Sequence, residues 1–267
     1  MLLQFAVWRG FRYRRFVPNS LAAPGRIPIP PRRADALQAA GMAEFPFLAT
    51  PPPPFPHPPG GATAGLVAVL TLDPRLATIE AAAGPLPWRT RPRGFPGLLR
   101  AICGQQISNQ AAGAIWRRLA ALPGALEPAG LLRLDDATLC GVAGLSRPKA
   151  AHARSLAAAC LDGRLDFAAI AAMADAAAVA HIAAVKGLGP WTAEVHLLFA
   201  EGRPDVFPSG DLALAASVAH LLGLPVRPGP KALAALALGW QPWRSLAARL
   251  LWHHWRCVTG RPAIEDG

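Results

Sequence analysis

The sequence predicts an all-α protein behind an irregular N-terminal segment. Of the 29 prolines in the chain, thirteen fall within residues 1–62, which show neither helical nor strand periodicity. From about Leu66 onward, apolar residues recur every three or four positions between glycines and prolines, as in amphipathic helices. The alternation of polar and apolar residues that would indicate strands is essentially absent. We therefore expect about ten short helices and no sheet.

Residues 1–62 are expected to form a disordered tail and residues 66–260 a folded domain. Proline fixes φ and removes an amide donor, so the proline-rich segment cannot form a continuous helix or ladder. Its opening 16 residues, rich in arginine and aromatic side chains, could instead form a short amphipathic helix that touches a surface or DNA. We favour a dispensable tail or an over-extended reading frame.

Within the domain, each helix is predicted from apolar residues three or four positions apart, and several have start or stop signals. Ser108 and Ser146 are placed to cap the helices that follow them. The predicted helices cover residues 74–83, 95–107, 109–122, 135–142, 147–162, 166–172, 175–185, 191–200, 211–222, 230–238 and 242–258.

The charge of the chain is strongly basic. The 267 residues carry 27 Lys and Arg against 16 Asp and Glu, a net charge of +11. Residues 1–62 hold seven of the basic and two of the acidic residues, so the remainder keeps 27 − 7 = 20 basic and 16 − 2 = 14 acidic residues. A domain that is basic without its tail suits a polyanionic partner such as DNA or RNA. A composition set by codon bias is the alternative.

The cysteines argue against a metal site. The four cysteines are far apart, with no C-x-x-C pair, which is unlike a zinc site or an iron–sulfur cluster. We expect no metal ligands and instead buried free thiols, as in a cytosolic protein. No apolar run approaches the ~20 residues that a membrane span needs, so we expect no membrane partner.

The segment Val185–Ala193 contains a G-x-G turn between two predicted helices. Gly187 and Gly189 are expected to adopt conformations that a Cβ would block and to let a phosphate approach the main chain. Amides at the start of the following helix lack intrahelical partners and can donate to that phosphate, and Lys186 adds a positive charge. An ordinary helical corner is the alternative. The pattern predicts a site for a nucleic-acid backbone that reads shape rather than sequence.

Asp211 follows a Pro-Ser-Gly lead-in and stands directly before an apolar helix. A carboxylate in this position is usually an N-cap. Beside a bound nucleotide it could also stabilise positive charge on a sugar carbon as the base departs, or orient the attacking water. Capping and catalysis are compatible, and we predict that Asp211 is the catalytic residue.

Taken together, Val185–Leu214 resembles the helix-hairpin-helix and Gly/Pro-Asp segment of the base-excision DNA glycosylase superfamily. It is most similar to the bacterial 3-methyladenine DNA glycosylase II branch. The resemblance extends over about residues 70–258, because three further stretches agree with that branch in the same order. They are Leu98–Ser108, Gly144–Ala150 and Trp240–Trp252.

The resemblance implies a compact two-lobed helical bundle with a helix-hairpin-helix motif, acting as a monomer on double-stranded DNA. Asp211 matches the family's essential aspartate, and Gln106 matches the wedge that fills the hole left by a flipped nucleotide. No cofactor is implied beyond a structural monovalent cation held by hairpin carbonyls. The residues that fall in the phosphate-binding hairpin are Lys186, Gly187, Leu188, Gly189 and Thr192.

The implied base pocket combines indoles with aliphatic side chains. Trp191 and Trp252 match positions that line the pocket, where an indole face attracts a cationic base by about 0.5–2 kcal/mol; a purely structural role is the alternative. Val195 and Leu212 stand where a well-known member has tyrosines, which leaves the substrate range open. Strand-cleaving members carry a lysine at the position of Trp191, so no Schiff base is expected here.

The implied function is excision of alkylated purines of the 3-methyladenine and 7-methylguanine type by a monofunctional glycosylase in the bacterial cytoplasm, associated with the nucleoid through DNA. Alkylation makes the base a cationic leaving group, so no strong general acid and no second carboxylate beside Asp211 are expected. Two alternatives remain. One is a glycosylase of the same fold for uracil, hypoxanthine or a mismatched pyrimidine, and the other is a noncatalytic DNA-binding module.

Overall fold

The computed structural model describes residues 60–260, and all regular structure within that range is helical. The predicted all-α class is confirmed for this part of the chain. Residues 1–59, which make up most of the predicted tail, lie outside the described residues. None of the helices between residues 60 and 260 is long and apolar enough to cross a membrane.

The helices are short and follow one another closely. A 3-10 turn at Pro74–Leu76, a π-helical turn at Ala137–Val142 and a 3-10 turn at Leu238–Trp240 lie between them. The α-helices are α1 (Gly60–Leu72), α2 (Ala77–Ala83), α3 (Gly94–Gly104), α4 (Asn109–Ala120), α5 (Pro128–Arg133), α6 (Arg147–Leu161), α7 (Phe167–Ala172), α8 (Asp175–Ala183), α9 (Pro190–Phe199), α10 (Leu212–Leu221), α11 (Pro230–Ala237) and α12 (Arg244–Val258).

Two of these helices were not predicted from the sequence. Helix α1 begins six residues before the predicted domain start and carries apolar residues on more than one side, so no polar stripe marks its period. Val67 of α1 is exposed while Val69 is fully buried. Helix α5 has six residues, as does α7, but it lacks a side-chain N-cap such as the one that Asp166 provides for α7.

The apolar core is divided into two clusters, which give the molecule two lobes. The first lobe gathers buried side chains of α3–α9, such as Leu99 and Leu156. The second gathers those of α1, α2 and α10–α12, such as Val69 and Leu250. The two-lobed arrangement implied by the family resemblance is confirmed.

Helix α9 lies where the lobes meet. It packs against α8 and α3 of the first lobe. Its neighbouring residues Leu197 and Leu198 are both fully buried, but Leu197 belongs to the first cluster and Leu198 to the second. Helix α10, which follows Asp211, packs along α12 within the second lobe. The hairpin and the aspartate therefore approach each other across the junction.

The loop between α9 and α10, which carries Asp211, is fastened to both lobes. On the first lobe, the Arg203 guanidinium lies 2.7 Å from a carboxylate oxygen of Asp175. On the second, Arg244 donates two hydrogen bonds of 2.8 Å to the Asp205 carboxylate. Ser245 Oγ also accepts from the Val206 amide and donates to its carbonyl, each at 2.9 Å. These contacts fix the path of the loop that delivers Asp211.

Candidate active site and nucleic-acid interface

The turn between α8 and α9 is anchored by Leu188. Its side chain is buried in the first core cluster, and its amide donates to the Val185 carbonyl at 3.0 Å. Leu188 therefore fixes the turn from the inside rather than offering a side chain to DNA. Lys186, in contrast, is exposed on the same turn.

The two glycines of the turn differ in what they require. Gly187 has φ of +96°, and a Cβ there would lie 2.3 Å from Cγ of His152. Gly189 has φ of −101°, an ordinary extended value, and a Cβ there would meet nothing within 4 Å. The expectation of a special backbone conformation is confirmed for Gly187 and wrong for Gly189. The space beside Gly189 is open, which suits the close approach of a ligand.

The first turn of α9 presents unused amides. Between residues 60 and 260, no backbone carbonyl accepts from the amides of Gly189, Trp191 or Thr192. Such amides form an anion site together with the positive end of the helix. The Thr192 side chain is buried, so of the residues predicted to bind DNA, Thr192 can contribute only its backbone amide.

Asp211 uses its carboxylate in two ways. One oxygen, Oδ1, accepts from the amides of Ala213 and Leu214 at 2.8 and 2.9 Å and caps α10. The other oxygen, Oδ2, accepts from the indole Nε1–H of Trp191 at 2.8 Å. Capping and presentation of the carboxylate at the lobe junction thus occur together. Trp191 is 45% exposed, so one part of its indole remains available while its N–H orients the aspartate.

Glu194 is a second carboxyl group close to Asp211, which the sequence reasoning did not expect. It lies one turn after Trp191 on α9, and it is half-buried. Burial, followed by the negative charge of Asp211, raises the pKa of the Glu194 carboxyl to about 7. The expectation of a lone carboxylate was therefore wrong. The i, i+3 spacing from Trp191 was the signal that could have placed Glu194 on this face.

The predicted pocket residues separate into two groups. Leu212 directly follows Asp211 in the sequence, and its side chain is 70% exposed, so it is available to line an open pocket. Val195 is only 2% exposed, so its side chain belongs to the core and does not face an open pocket. Trp252 stacks on Phe199, with ring centroids 5.5 Å apart, and packs against the second core cluster.

Gln106 stands in the short turn between α3 and α4. Its φ is +58°, and it is the sole residue other than glycine with positive φ between residues 60 and 260. Non-glycine residues adopt this conformation at a cost, and such positions often occur at functional sites. Its side chain is exposed, as a wedge residue requires.

Gln105 is a further residue that sequence reasoning did not single out. Its side-chain Nε2 donates to the Gly187 carbonyl at 2.9 Å. This bond joins the hairpin to the turn between α3 and α4 that carries Gln106, which we call the wedge turn. The partners are 82 residues apart in the sequence, so no local pattern signals the contact.

The adjacent histidines His253 and His254 point to different partners. A ring nitrogen of His253 lies 3.0 Å from the Gly84 carbonyl oxygen, and one of His254 lies 3.0 Å from His220. This divergence agrees with their i, i+1 spacing on a helix. Across the described part of the chain, no three His, Cys, Asp or Glu side chains are grouped as a metal site would require.

Known proteins share both the sequence pattern and the fold. The family model of the HhH-GPD superfamily of base excision DNA repair proteins matches residues 99–242. The chain is 46% identical over 69 residues to a probable bifunctional transcriptional activator/DNA repair enzyme AlkA of Mycobacterium tuberculosis. That match covers 26% of this chain and 13% of the relative, so the chain spans a small part of that protein's length.

Two solved structures are similar over most of the chain. A DNA-3-methyladenine glycosidase from Bacillus halodurans is 32% identical, with a TM-score of 0.63, over 70% of this chain and 87% of that one. A Schizosaccharomyces pombe 3-methyladenine DNA glycosylase in complex with abasic DNA has a TM-score of 0.64 at 24% identity. This match covers 76% of our chain and 100% of the S. pombe chain. At 24% identity, it supports the fold alone.

Proposed function

The chain belongs to the HhH-GPD superfamily of base excision DNA repair proteins, and we propose that it is a DNA glycosylase for alkylated purines. It binds duplex DNA as a monomer in the bacterial cytoplasm, flips out a damaged nucleotide and hydrolyses its N-glycosidic bond. The substrates are bases of the 3-methyladenine and 7-methylguanine type.

The observation that carries this proposal is the carboxylate of Asp211 at the lobe junction, held by the indole N–H of Trp191. As the bond between C1′ and the base nitrogen breaks, its electron pair leaves with the base and positive charge develops on the sugar. A fixed carboxylate stabilises that charge without having to reorganise. Water then adds to C1′ and gives up a proton, which leaves an abasic site.

The hairpin is the part of the protein that binds the DNA backbone. The free amides at the start of α9, the open space beside Gly189 and the exposed Lys186 together suit a phosphate. We propose that this contact holds the strand beside the flipped nucleotide. A monovalent cation bound by hairpin carbonyls would stiffen the same turn, and no other cofactor enters the reaction.

The enzyme is proposed to be monofunctional. A lyase needs an amine that forms a Schiff base with C1′, whereas Trp191 offers only an indole N–H. That N–H is already bonded to Asp211 at 2.8 Å. Borohydride treatment during the reaction should therefore trap no covalent adduct with DNA.

Hypoxanthine is a second candidate substrate, and Glu194 is the observation that favours it. With a pKa of about 7, this carboxyl group holds a proton in part of the molecules near neutral pH. It could give that proton to a departing base that carries no positive charge of its own. Excision of hypoxanthine should then depend on Glu194, whereas excision of a cationic base should not.

The test is base release by wild type and Asp211→Asn from duplexes with a single 7-methylguanine or hypoxanthine. Asparagine still caps a helix, so the variant should fold and bind DNA but lose base release by at least about 100-fold. Asp166→Asn is the matched control, because Asp166 caps α7 through the Ala168 amide at 2.8 Å. Equal release by wild type and Asp211→Asn would overturn the catalytic assignment, and binding without release by wild type would favour a noncatalytic module.

A further inference from the structure

The hairpin and the wedge turn are joined by one side-chain hydrogen bond. The Gln105 Nε2–H donates to the Gly187 carbonyl at 2.9 Å. Gly187 belongs to the turn proposed to bind phosphate, and Gln105 directly precedes Gln106, the predicted wedge. The bond thus connects the two parts that would touch DNA on either side of a flipped nucleotide.

The wedge turn is fixed at both ends. Gln105 ends α3, where its own amide donates to the Ile102 carbonyl at 3.3 Å. Ser108 begins α4, where its hydroxyl oxygen accepts from the Ala111 amide at 3.2 Å. Between them only Gln106 and Ile107 are free of these contacts, and both are exposed. A short turn with fixed ends transmits a displacement of one end to the residue at its tip.

The hairpin end of the bond is equally constrained. Gly187 holds φ of +96°, and the His152 ring occupies the space that a Cβ would need. The peptide of Gly187 therefore has little room to rotate. Its carbonyl faces Gln105 while the turn is anchored in the core by Leu188.

We infer that Gln105 is a positioning residue, which couples the phosphate-binding hairpin to the turn that carries Gln106. When the hairpin binds the DNA backbone, this coupling places Gln106 in the gap left by the flipped nucleotide. The inference rests on the proposed function, because it assigns the two turns their roles on DNA. Without the bond, each turn would still form through its own helix caps and core contacts. Their relative placement would then be less well defined, and the flipped state would be less populated.

The experiment compares wild type with Gln105→Met and Gln105→Glu. Methionine keeps the length of the side chain and removes the donor, and glutamate is isosteric but places an acceptor against the Gly187 carbonyl. Gln105→Lys restores an N–H donor of sufficient reach. Gln110→Met is the control, because Gln110 is an exposed glutamine on α4 with no hydrogen bond from its side chain among the described residues.

Four quantities are measured for each variant. They are single-turnover release of 7-methylguanine, fluorescence of a 2-aminopurine beside the lesion as a signal of flipping, affinity for undamaged duplex, and the midpoint of thermal unfolding. We expect Gln105→Met and Gln105→Glu to lower release and the flipping signal by roughly 3- to 10-fold, the scale of one hydrogen bond. Affinity for undamaged duplex and the unfolding midpoint should change little, and Gln105→Lys should recover part of the loss.

Two results would overturn the inference. One is wild-type flipping and release by Gln105→Met and Gln105→Glu. The other is a loss that is matched by a lower unfolding midpoint or weaker binding of undamaged duplex, which would mean a merely structural bond. If wild type released no base at all, the proposed function would fail, while the 2-aminopurine signal would still decide whether Gln105 couples the turns.

Discussion

At the scale of single residues, the site depends on how Asp211 is held. Its Oδ1 is committed to the α10 cap and its Oδ2 to the Trp191 indole, so the carboxylate cannot rotate without losing hydrogen bonds. A carboxylate fixed in this way is preorganised for the positive charge that would develop on the sugar in the proposed reaction. The same indole N–H that holds the aspartate belongs to Trp191, whose position in the chain underlies the proposal of a monofunctional enzyme.

Glu194 gives a prediction about stability and pH. Its pKa is raised from 4.5 to about 7 in the folded protein. As pH rises from the lower to the higher value, the unfolded chain loses this proton while the folded chain keeps it, so the free energy of unfolding falls. Above the pKa of the folded protein, Glu194 is ionised in both the folded and the unfolded state, and the folded protein bears the full energetic cost of the buried charge. Glu194→Gln should therefore stabilise the protein at about pH 8 and have little effect at about pH 4.

Urea unfolding at both pH values measures this difference. Glu127→Gln is the control, since Glu127 is exposed and its side chain makes no capping hydrogen bond. An equal effect of Glu194→Gln at the two pH values would contradict the assignment of a raised pKa to this carboxyl.

At the scale of elements, the two glycines of the hairpin have different roles. We expect Gly187 to be needed for folding of the turn and Gly189 for binding of DNA. Gly187 requires positive φ and leaves no room for a Cβ, whereas Gly189 has an ordinary φ and faces open space. The same substitution at the two positions should therefore have different consequences. A substitution at Gly187 should affect the stability of the turn, whereas one at Gly189 should affect the approach of a DNA phosphate.

Gly187→Ala should lower the free energy of unfolding by about 1–3 kcal/mol, through backbone strain and the clash with His152. Gly189→Ala should leave stability within about 0.5 kcal/mol of wild type but weaken DNA binding, because its methyl group occupies the approach path of the phosphate. Chemical denaturation and fluorescence anisotropy with duplex DNA measure the two effects. Unchanged DNA affinity of Gly189→Ala would place the phosphate elsewhere.

At the scale of the whole molecule, the groups of the candidate site come together where the two lobes meet. Trp191 and Glu194 come from α9 of the first lobe, and Asp211 begins α10 of the second. The connecting loop is fastened to the first lobe through Asp175 and to the second through Arg244. Any change that shifts one lobe against the other would alter the distance between the indole and the carboxylate.

The packing of α1 in the second lobe determines how far the chain can be truncated from its N-terminus. Helix α1 starts at Gly60 and contributes Val69, which is fully buried in the second core. Deleting residues 1–59 should therefore leave base release within about twofold of wild type, whereas deleting residues 1–72 should lower the unfolding midpoint and base release together. Thermal unfolding and the base-release assay compare the two truncations. A large loss of activity after the shorter deletion would show that the N-terminal segment takes part in function.

The sequence by itself determined the helical class, the hairpin and the aspartate, because each of these is encoded over a short stretch. The 3.6-residue period marked most of the helices, the G-x-G turn marked the hairpin, and the position before an apolar helix marked Asp211 as a cap. The helices missed were α1, whose apolar residues leave no clear stripe, and α5, which is short and has no side-chain N-cap.

Only the tertiary structure decided which side chains meet. The bond from Trp191 to Asp211 spans 20 residues of sequence, and the bond from Gln105 to Gly187 spans 82. The burial of Val195 and the raised pKa of Glu194 likewise depend on how the helices pack around them. Local patterns fix the backbone of each element, but the distances between elements follow from the packing of the two cores, which no short stretch encodes.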